Sequence, residues 1–361
     1  MNTIGRMFRA TTWGESHGRA VGCVVDGCPS NLQLTTEDIQ RELDRRKPGQ
    51  SSVTTSRGEK DRLEVLSGLF EGRTLGTPIS MLVWNKDADS SKYEKLRDVV
   101  RPGHADLAWR MKYGVVDFRG GGRSSARETV GRVAAGAVAK KLLSKLNITT
   151  VGFAREIAGI RAGGEANVSS AKVIDSNSVR TIDLNAARLM ERAIIAAKED
   201  NDSVGGIVEC ASFGVPPGLG EPVFGKLSSD LASAVMSIPG VKGFEIGCGF
   251  ALARMNGSES NDPFILSKGL VKTRTNNSGG ILGGISNGMP LVVRAAFKPT
   301  SSIAKKQKTV NLKTNRQVEI QVEGRHDPCI VPRAVPIVEA MVNLVLADHG
   351  LMSGVIPREI R

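Results

Sequence analysis

A serine and a histidine stand side by side near the amino terminus, in the segment Trp13-Gly14-Glu15-Ser16-His17-Gly18. Residues 14 to 18 match G-x-S-x-G, the pattern that places the nucleophilic serine of α/β-hydrolases on a sharp turn between a strand and a helix. The residues that follow, 19 to 27, instead have the composition of a strand that ends in a turn, and the motif lies too early for a sheet to precede it. We therefore interpret Ser16 and His17 as a polar pair at a turn between two strands.

The segment from Arg119 to Glu128, with the sequence RGGGRSSARE, has the residue types of an anion-binding helix start. Ser125 and Glu128 fit an S-x-x-E capping box, which predicts that a helix begins there. Free amides at a helix start, approached through three glycines and flanked by Arg123 and Arg127, would bind a phosphate or a carboxylate. The alternative is an ordinary capped helix whose arginines are solvated.

Three further polar segments are candidates for the same kind of site. Residues 44 to 49 (DRRKPG) place three cations at the end of a predicted helix, which compensation of the helix dipole would also explain. Residues 298 to 302 (KPTSS) put a cation and three hydroxyls after a strand, although they could form only a polar loop. Residues 325 to 328 (RHDP) crowd a cation, an imidazole and a carboxylate at a turn, where Asp327 could simply pair with Arg325.

Only four histidines are present: His17, His104, His326 and His349. We expect His349 to cap the final helix or to face solvent. His17 and His104 each follow a turn rich in glycine or proline, and either could act as an acid near neutral pH.

The composition narrows the class of ligand. The 361 residues carry a net charge of +12, which suits either a polyanion or small ligands with several negative charges. Lysines and arginines are spread among acidic residues, the one dense cluster being residues 305 to 308, and aromatic residues make up only 4% of the chain, too few for base-stacking platforms. Small anionic ligands are therefore favoured over nucleic acid.

The five cysteines do not form a metal-binding pattern, since only Cys23 and Cys28 are close in sequence and no second pair completes a site. We expect reduced, mostly buried thiols. The amino terminus lacks the apolar segment of a signal peptide, and we expect no later run to approach the roughly 20 apolar residues of a membrane span. The predicted protein is soluble and cytoplasmic.

The elements that must position these side chains alternate without the regular strand-helix rhythm of a doubly wound sheet. Thr35 and Asp38 form a capping-box pattern for the first predicted helix. Helices are predicted over residues 35–46, 105–112, 125–146, 184–199, 226–237 and 333–347. Strands are predicted over residues 7–13, 18–28, 79–84, 205–213, 241–256 and 289–297, with a hairpin over 309–323. This mixture, without an internal linker, predicts one continuous α+β domain.

Taken together, these segments resemble the chorismate synthase family. The resemblance rests on residues 14–18 (GESHG), 101–106 (RPGHAD), 120–136, 298–302 (KPTSS) and 325–329 (RHDPC), which occur in the family's order along nearly the whole chain. It implies a single-domain βαβ sandwich with antiparallel sheets flanked by helices, assembled as a homotetramer. It also implies a lyase that converts 5-enolpyruvylshikimate 3-phosphate to chorismate and phosphate with reduced FMN, the last step of the shikimate pathway.

The resemblance implies roles for particular residues. His17 resembles the acid that protonates the departing phosphate, assisted by Ser16, while His104 resembles the histidine near flavin N1 and Asp327 the carboxylate that manages the proton at flavin N5. Substrate contacts are implied for His17, Arg46, Ala126, Arg127, Arg325 and Asp327. Cofactor contacts are implied for Arg123, Ser124, Ser125, Gly283, Lys298, Pro299, Thr300, Ser301, Ser302 and Arg325, and for Arg46 toward a nicotinamide cofactor, with NADPH as a possible reductant.

One position departs from the family pattern. Many relatives carry a second arginine six residues after Arg46, where this chain has Ser52, and Arg57 is a candidate substitute. The alternative hypothesis from another class is a protein that binds flavin or nucleotide phosphates with the same basic loops but has no lyase activity. His17, His104 and Asp327 favour the enzyme, because binding alone would not need a set of acids. No G-x-G-x-x-G fingerprint lies between a strand and a helix, so a separate reductase module is not predicted.

Overall fold

The computed structural model describes residues 1–49, 60–86, 91–267, 269–322 and 326–361. Its α-helices are α1 (Thr36–Arg46), α2 (Asp106–Tyr113), α3 (Thr129–Ser144), α4 (Ala171–Asp175), α5 (Leu184–Glu199), α6 (Leu227–Met236), α7 (Gly257–Ser260) and α8 (Val331–Met352). Its strands are β1 (Thr3–Ile4), β2 (Arg9–Trp13), β3 (Ala20–Asp26), β4 (Leu63–Val65), β5 (Leu69–Phe70), β6 (Arg73–Thr74), β7 (Ile79–Trp84), β8 (Thr149–Ile157), β9 (Ile160–Arg161), β10 (Gly206–Phe213), β11 (Val241–Ile246), β12 (Phe264–Ser267), β13 (Leu270–Thr273), β14 (Ile281–Leu282), β15 (Ile285–Ser286), β16 (Leu291–Phe297), β17 (Gln307–Asn311) and β18 (Arg316–Ile320).

Two five-stranded antiparallel sheets form the framework. The first has the order β1-β2-β3-β7-β4 and the second the order β11-β16-β10-β8-β9. In β16 the side chains of Leu291, Val293, Ala295 and Phe297 are buried and alternate with half-buried ones, as expected when a strand presents one face to a core. The α+β class predicted from the pattern of elements is confirmed, as are the antiparallel sheets that the family resemblance implies.

Helices α3 and α8 pack against each other and connect the two sheets. α3 contacts β2, β3 and β7 of the first sheet, and α8 contacts β8 and β10 of the second. The contact is close because small residues lie on it: a Cβ atom added at Gly136 would stand 2.3 Å from the Cβ of Ala340. One continuous cluster of buried apolar side chains therefore runs through both sheets.

Helix α8 is longer than predicted and carries proline at its first turn and again at Pro336. We expected no apolar run long enough to span a membrane. Among the described residues, α8 is long and apolar enough to do so by length and composition, so this expectation was wrong. In the structure, 94% of the most apolar 18-residue stretch of α8 is buried inside the protein, as in the core helix of a soluble protein.

The capping box at Thr35 and Asp38 is confirmed, since Asp38 N–H donates to Thr35 Oγ1 (3.2 Å) and Thr35 N–H donates to the Asp38 carboxylate (3.1 Å). All five cysteines are free and four are buried. Burial raises the pKa of Cys23, Cys28 and Cys329 to about 12, which makes these thiols inert.

Candidate active site

One cavity of about 930 Å³ brings together most of the residues predicted to bind or catalyse. They come from the turn after β2, the end of α1, the segments before α2 and α3, the loop after β16 and the segment before α8. The predicted residues that line it are Ser16, Arg46, His104, Arg123, Ser124, Ser125, Ala126, Arg127, Lys298, Pro299, Thr300, Ser301, Ser302 and Asp327. A second cavity of about 990 Å³ adjoins it and shares Arg101, Trp109, Arg123 and Ser124.

Three consecutive glycines lie between the two cavities: Gly120 lines the first, and Gly121 and Gly122 line the second. Gly120, Gly121 and Gly122 have positive φ angles of 59°, 84° and 52°, a conformation that other residues rarely adopt. A Cβ atom at Gly120 would lie 2.3 Å from Cδ2 of His17, and one at Gly121 would lie 3.0 Å from Cε1 of His104. This triglycine turn, residues 120 to 122, therefore contacts both candidate histidines with its backbone.

His17 reaches the cavity only through its neighbours. It is not a lining residue, but Gly120, which it contacts, lines the cavity, as does Tyr93, whose ring meets the imidazole edge to face at 5.1 Å. Ser16 is buried, and its backbone N–H donates to the carbonyl of Gly122 (3.1 Å). The predicted strand-turn-strand context is confirmed, because β3 follows this segment.

The predicted capping box at Ser125 and Glu128 is wrong. Ser125 Oγ accepts a hydrogen bond from the backbone N–H of Arg127 (3.3 Å), but the Glu128 carboxylate pairs with Arg132 (2.8 Å) instead of returning to Ser125. The chain forms a 3₁₀ turn over Ala126–Glu128, and the α-helix begins only at Thr129. Ser125 therefore caps a 3₁₀ turn that leads into α3, which the sequence pattern alone did not reveal.

Arg46 and Arg127 are buried together and share one carboxylate. Arg46 donates to Asp61 (3.2 Å), to Thr129 Oγ1 (3.1 Å) and to the carbonyl of Ala126 (2.7 Å), and Arg127 also pairs with Asp61. The Asp61 side chain has no solvent exposure. Asp61 therefore holds the two predicted substrate-binding arginines side by side.

The protonation state of the Arg46 side chain depends on its burial and on neighbouring charges. Burial lowers the pKa of Arg46 to about 9, and the positive charge of Arg333 acts in the same direction, while Asp61 opposes it. The guanidinium is still protonated at neutral pH. It supplies a positive charge with little hydration, which strengthens its attraction for an anion.

Arg127 is also connected to the Ser16-His17 segment. Its Nε donates to Asn85 Oδ1 (2.9 Å), and the Asn85 amide donates to the carbonyls of Gly18 (2.9 Å) and Glu15 (3.1 Å). Asn85 thereby fixes the distance between the first motif and the arginine pair.

Asp327 forms an ion pair with Arg333 in the first turn of α8. The alternative partner considered above, Arg325, lies outside the described residues. Arg333 also donates to the carbonyl of Arg46 (3.3 Å), and Thr300 Oγ1 donates to the carbonyl of Asp327 (2.8 Å). Asp327 is thus held between the loop after β16 and the start of α8.

His104 belongs to a compact group with Arg101 and Asp106. Asp106 Oδ1 lies 2.6 Å from His104 Nδ1, and both carboxylate oxygens of Asp106 accept hydrogen bonds from the Arg101 guanidinium at 2.8 Å. Burial raises the pKa of Asp106, but the hydrogen bonds from Arg101 and His104 outweigh it and hold this pKa well below the usual range. Asp106 is therefore ionised. Arg101 extends the group to Ser302 Oγ (3.3 Å).

The loop after β16 folds onto the segment that carries His104. Lys298 Nζ and Ser301 Oγ donate to the carbonyl of Gly103 at 2.7 and 2.8 Å. Burial lowers the pKa of Lys298, with a smaller contribution from Lys242, which also lines the cavity. Residues 298 to 302 and His104 therefore form one connected wall.

Arg123 and Ser124 line the cavity but are also bound to the protein. Arg123 donates to the carbonyl of Thr12 (2.6 Å) and to Asn2 Oδ1 (3.3 Å), and burial lowers its pKa. Ser124 Oγ donates to the carbonyl of Gly121 (2.7 Å). Both side chains therefore also stabilise the triglycine turn and its contact with β2.

Several predicted positions are not brought to the cavity. Gly283 lies in the turn between β14 and β15, where no atom stands within 4 Å of its Cβ position, and it does not line the cavity. Arg325, Ser52 and Arg57 lie outside the described residues. The prediction that His349 caps a helix or faces solvent is wrong, because its ring is 1% exposed and its Nε2 lies 2.8 Å from Asp230.

The structure adds residues that the sequence analysis missed. Arg101 and Asp106 stand three residues before and two after His104, so their proximity could have been noticed. Asp61, Asn85, Tyr93, Trp109 and Arg333 reach the site through tertiary contacts without a local pattern. His326, which belongs to the candidate segment 325–328 already considered, also lines the cavity; burial, followed by the charge of Arg101, lowers its pKa to about 4, so it is neutral at pH 7.

The arrangement suits a small ligand with several negative charges. Arg46, Arg127, Arg333 and Arg101 are partly neutralised by Asp61, Asp327 and Asp106, while Lys242 and Lys298 add positive charge around the same cavity. Two histidines contact the glycine turn between these groups, where an imidazole can give or take a proton.

Comparisons with known proteins agree on one family. The chorismate synthase family model matches residues 8–351. The chorismate synthase of Archaeoglobus fulgidus is 58% identical over 360 residues, 100% of both chains. That of Chloroflexus aurantiacus is 56% identical over 351 residues, 97% of this chain and 95% of the relative. A solved structure described as a crystal structure of chorismate synthase has a TM-score of 0.78 and 34% identity, covering 97% of this chain and 93% of that one.

Proposed function

Because the chain belongs to the chorismate synthase family, and is an enzyme of that kind, we propose that it converts 5-enolpyruvylshikimate 3-phosphate to chorismate and phosphate by a 1,4-anti elimination. The reaction is the last step of the shikimate pathway and feeds the synthesis of aromatic amino acids. The hypothesis of a flavin-binding protein without catalytic activity is set aside by the family assignment.

The observation that carries the proposal is the contact of the triglycine turn with both histidines at the wall of a cationic cavity. Gly120 contacts His17 and Gly121 contacts His104, while Arg46 and Arg127 are held side by side by Asp61. The substrate carries one phosphate and two carboxylates, and these arginines supply positive charges that attract them.

Reduced FMN is the proposed cofactor, and the residues present fit it. A cavity of about 930 Å³ lies toward the upper end of the roughly 300–1,000 Å³ of ordinary ligand sites, which leaves room for a substrate beside a cofactor. Lys298 to Ser302 and Arg123 to Ser125 would hold it, with the hydroxyls and cations suited to its phosphate. When bound, reduced FMN supplies an electron transiently and takes up the ring hydrogen, so that no net redox change occurs.

The side chains of the protein are proposed to control the protons. His17, supported by Ser16, gives a proton to the departing phosphate. With reduced FMN bound, His104 in its protonated form would stabilise the negative charge of the cofactor, and Asp327 would accept and return a proton, the roles that the family resemblance implies beside flavin N1 and N5. The ion pair with Arg333 supports this role, because it fixes the Asp327 carboxylate at the cavity wall.

Arg46 is also proposed to contact a nicotinamide cofactor, with NADPH as the possible reductant of the flavin. Its three hydrogen bonds to Asp61, Thr129 and Ala126 leave it rigidly placed for either ligand. Supplying NADPH in place of a chemical reductant tests this part of the proposal separately.

We also propose that the chain is a single domain that forms a homotetramer in the cytoplasm. The hairpin of β12 and β13 supports the assembly, because Phe264, Leu266, Leu270 and Val271 are each at least 61% exposed. Apolar surface of this extent on an isolated hairpin is typical of a protein interface.

The lyase proposal is tested by adding 5-enolpyruvylshikimate 3-phosphate and photoreduced FMN to the purified protein without oxygen. Phosphate and chorismate are expected in equal amounts. Phosphate release without chorismate, or no product at all, would contradict the proposed reaction.

A further inference from the structure

The carboxylate of Asp106 lies beside His104, and the proposed mechanism does not use it. It lies two residues from His104, at the start of α2, and both side chains are only 16% exposed. The ring edge of His104 that carries Cε1 and Nε2 faces Gly121, since a Cβ atom there would lie 3.0 and 3.1 Å from those atoms. The other nitrogen, Nδ1, faces Asp106.

The contact at Nδ1 determines where the ring carries its proton. An ionised carboxylate can only accept hydrogen bonds, so the separation of 2.6 Å between Asp106 Oδ1 and His104 Nδ1 requires a hydrogen on Nδ1. Arg101 Nη2 also lies 3.1 Å from Nδ1 and has a second hydrogen besides the one it donates to Asp106 Oδ1 at 2.8 Å. If Nδ1 accepted that second hydrogen, however, its lone pair would face an anionic oxygen only 2.6 Å away, which is repulsive, so the carboxylate decides the tautomer. The neutral ring therefore keeps Nε2 without a proton, on the side of the triglycine turn, and the ring gains a donor at Nε2 for a negatively charged group only when it is protonated to the imidazolium.

We propose that Asp106 is a positioning residue for catalysis, which holds His104 in the Nδ1–H tautomer and presents Nε2 toward the cavity. Arg101 supports this arrangement, because it donates hydrogen bonds to both carboxylate oxygens of Asp106 and to Ser302 Oγ. This inference deepens the proposed function, on which its kinetic consequence rests. A carboxylate that orients a catalytic imidazole in this way also stabilises the imidazolium form.

The tautomer can be measured without substrate or cofactor. The chain has four histidines, so ¹⁵N-histidine labelling gives a tractable spectrum, and the His104 signals are those lost in His104→Gln. At pH 9 we expect the wild-type ring nitrogens to show a proton on Nδ1. A proton on Nε2 alone would overturn the proposal, whatever the protein catalyses.

The Asp106→Asn variant gives a second test, which measures the effect of the tautomer on catalysis. Its amide oxygen would be held by Arg101, so its NH₂ group would face Nδ1 and the proton of His104 would move to Nε2. We expect kcat to fall roughly 10- to 100-fold, with KM for the substrate changed less than about threefold. A wild-type kcat in a variant whose tautomer has switched would overturn the kinetic role.

Two control variants separate positioning from folding. Arg101→Lys keeps the Asp106 carboxylate and is expected to keep the proton on Nδ1, whereas a switch of tautomer there would show that Arg101 and not Asp106 sets it. Asp106→Glu retains a carboxylate and is expected to recover part of kcat. Absence of chorismate from the wild type would refute the proposed function alone, because the NMR result would still decide the tautomer.

Discussion

Gly120 lies directly against His17: a Cβ atom on this glycine would stand 2.3 Å from Cδ2 and 2.5 Å from Nε2 of the imidazole. Contacts this short leave no room for any side chain at position 120. The backbone of the triglycine turn therefore sets the position of His17, the proposed acid. Any side chain at position 120 would displace its ring.

Gly120→Ala is expected to displace His17 and to lower kcat at least about tenfold, because small errors in the placement of a catalytic group are costly. The positive φ adds roughly 1 kcal/mol of backbone strain. Gly159→Ala is the matched control, since Gly159 also has positive φ (79°) but has no atom within 4 Å of its Cβ position and lies in the turn between β8 and β9. Steady-state kinetics and urea unfolding of both variants check this; equal kinetic effects in the two would contradict the role of the contact.

His104→Ala is expected to reduce turnover far more than stability. The ring is half-buried at the cavity wall, and its loss should lower kcat roughly 100-fold while the melting temperature falls by only a few degrees. Anaerobic assays with photoreduced FMN, combined with thermal denaturation, measure both quantities. Unchanged turnover by a variant that still binds flavin would refute the role proposed for His104.

Asp61→Asn is expected to destabilise the protein by about 3–5 kcal/mol, because Arg46 and Arg127 would lose their shared buried partner. The control is Asp26→Asn at the exposed ion pair with Arg9, where a change within about 1 kcal/mol is expected. Denaturant unfolding gives both free energies. A loss at Asp61 no larger than at Asp26 would show that the two arginines do not depend on this carboxylate.

His326 is expected to make the stability depend on pH between about 4 and 6.5. Burial lowers the pKa of the folded protein's His326 to about 4, below its ordinary value of 6.5. The unfolded chain therefore binds more protons in this window, and the free energy of unfolding should fall as the pH decreases through it. Denaturant unfolding across pH 4 to 7 should show a smaller slope for His326→Asn than for the wild type; identical slopes would argue against this assignment.

Leu266→Glu is expected to shift the proposed homotetramer toward smaller species, because the side chain is 79% exposed on the hairpin of β12 and β13. Light scattering after size-exclusion chromatography measures the mass, and Val168→Glu, at another exposed apolar position (53%), serves as a control. An unchanged tetramer in Leu266→Glu would remove the hairpin from the interface, and a wild-type monomer would contradict the assembly itself.

Much of the fold was accessible from local patterns. The strand Ile79–Trp84 and the helix Leu184–Glu199 were predicted with the bounds that the structure has, since each has strong periodicity and clear ends. The predicted helix over 333–347 is shorter than α8 at both ends, because Pro332 in the first turn and Gly350 in the last normally indicate a helix boundary. Ser125 does cap the helical segment, but the capping box failed because Glu128 pairs with Arg132, a competing contact that the capping pattern does not encode.

The residues of the candidate site that lie in sequence motifs were predicted. Those that reach the site only through tertiary contacts were missed. The segments around His17, His104, Arg127 and Lys298 converge on one cavity as expected. Asp61 could not be predicted as the partner of two arginines, because a carboxylate with no local pattern gives no signal until tertiary contacts are known. The same holds for Arg333, which looks like an ordinary charged residue at a helix start.

Helix α8 has a consequence for how the protein is made. It follows both large sheets in chain order, yet it packs on α1, α3, α6, β8 and β10, and its first turn carries Arg333. During synthesis on the ribosome, the apolar faces of those elements stay exposed until α8 has been made. A chain in that state is prone to aggregation and is suited to chaperone binding. Folding of the core and completion of the catalytic pocket are therefore the same late event in biosynthesis, so a chain arrested before α8 would be both inactive and a target for degradation.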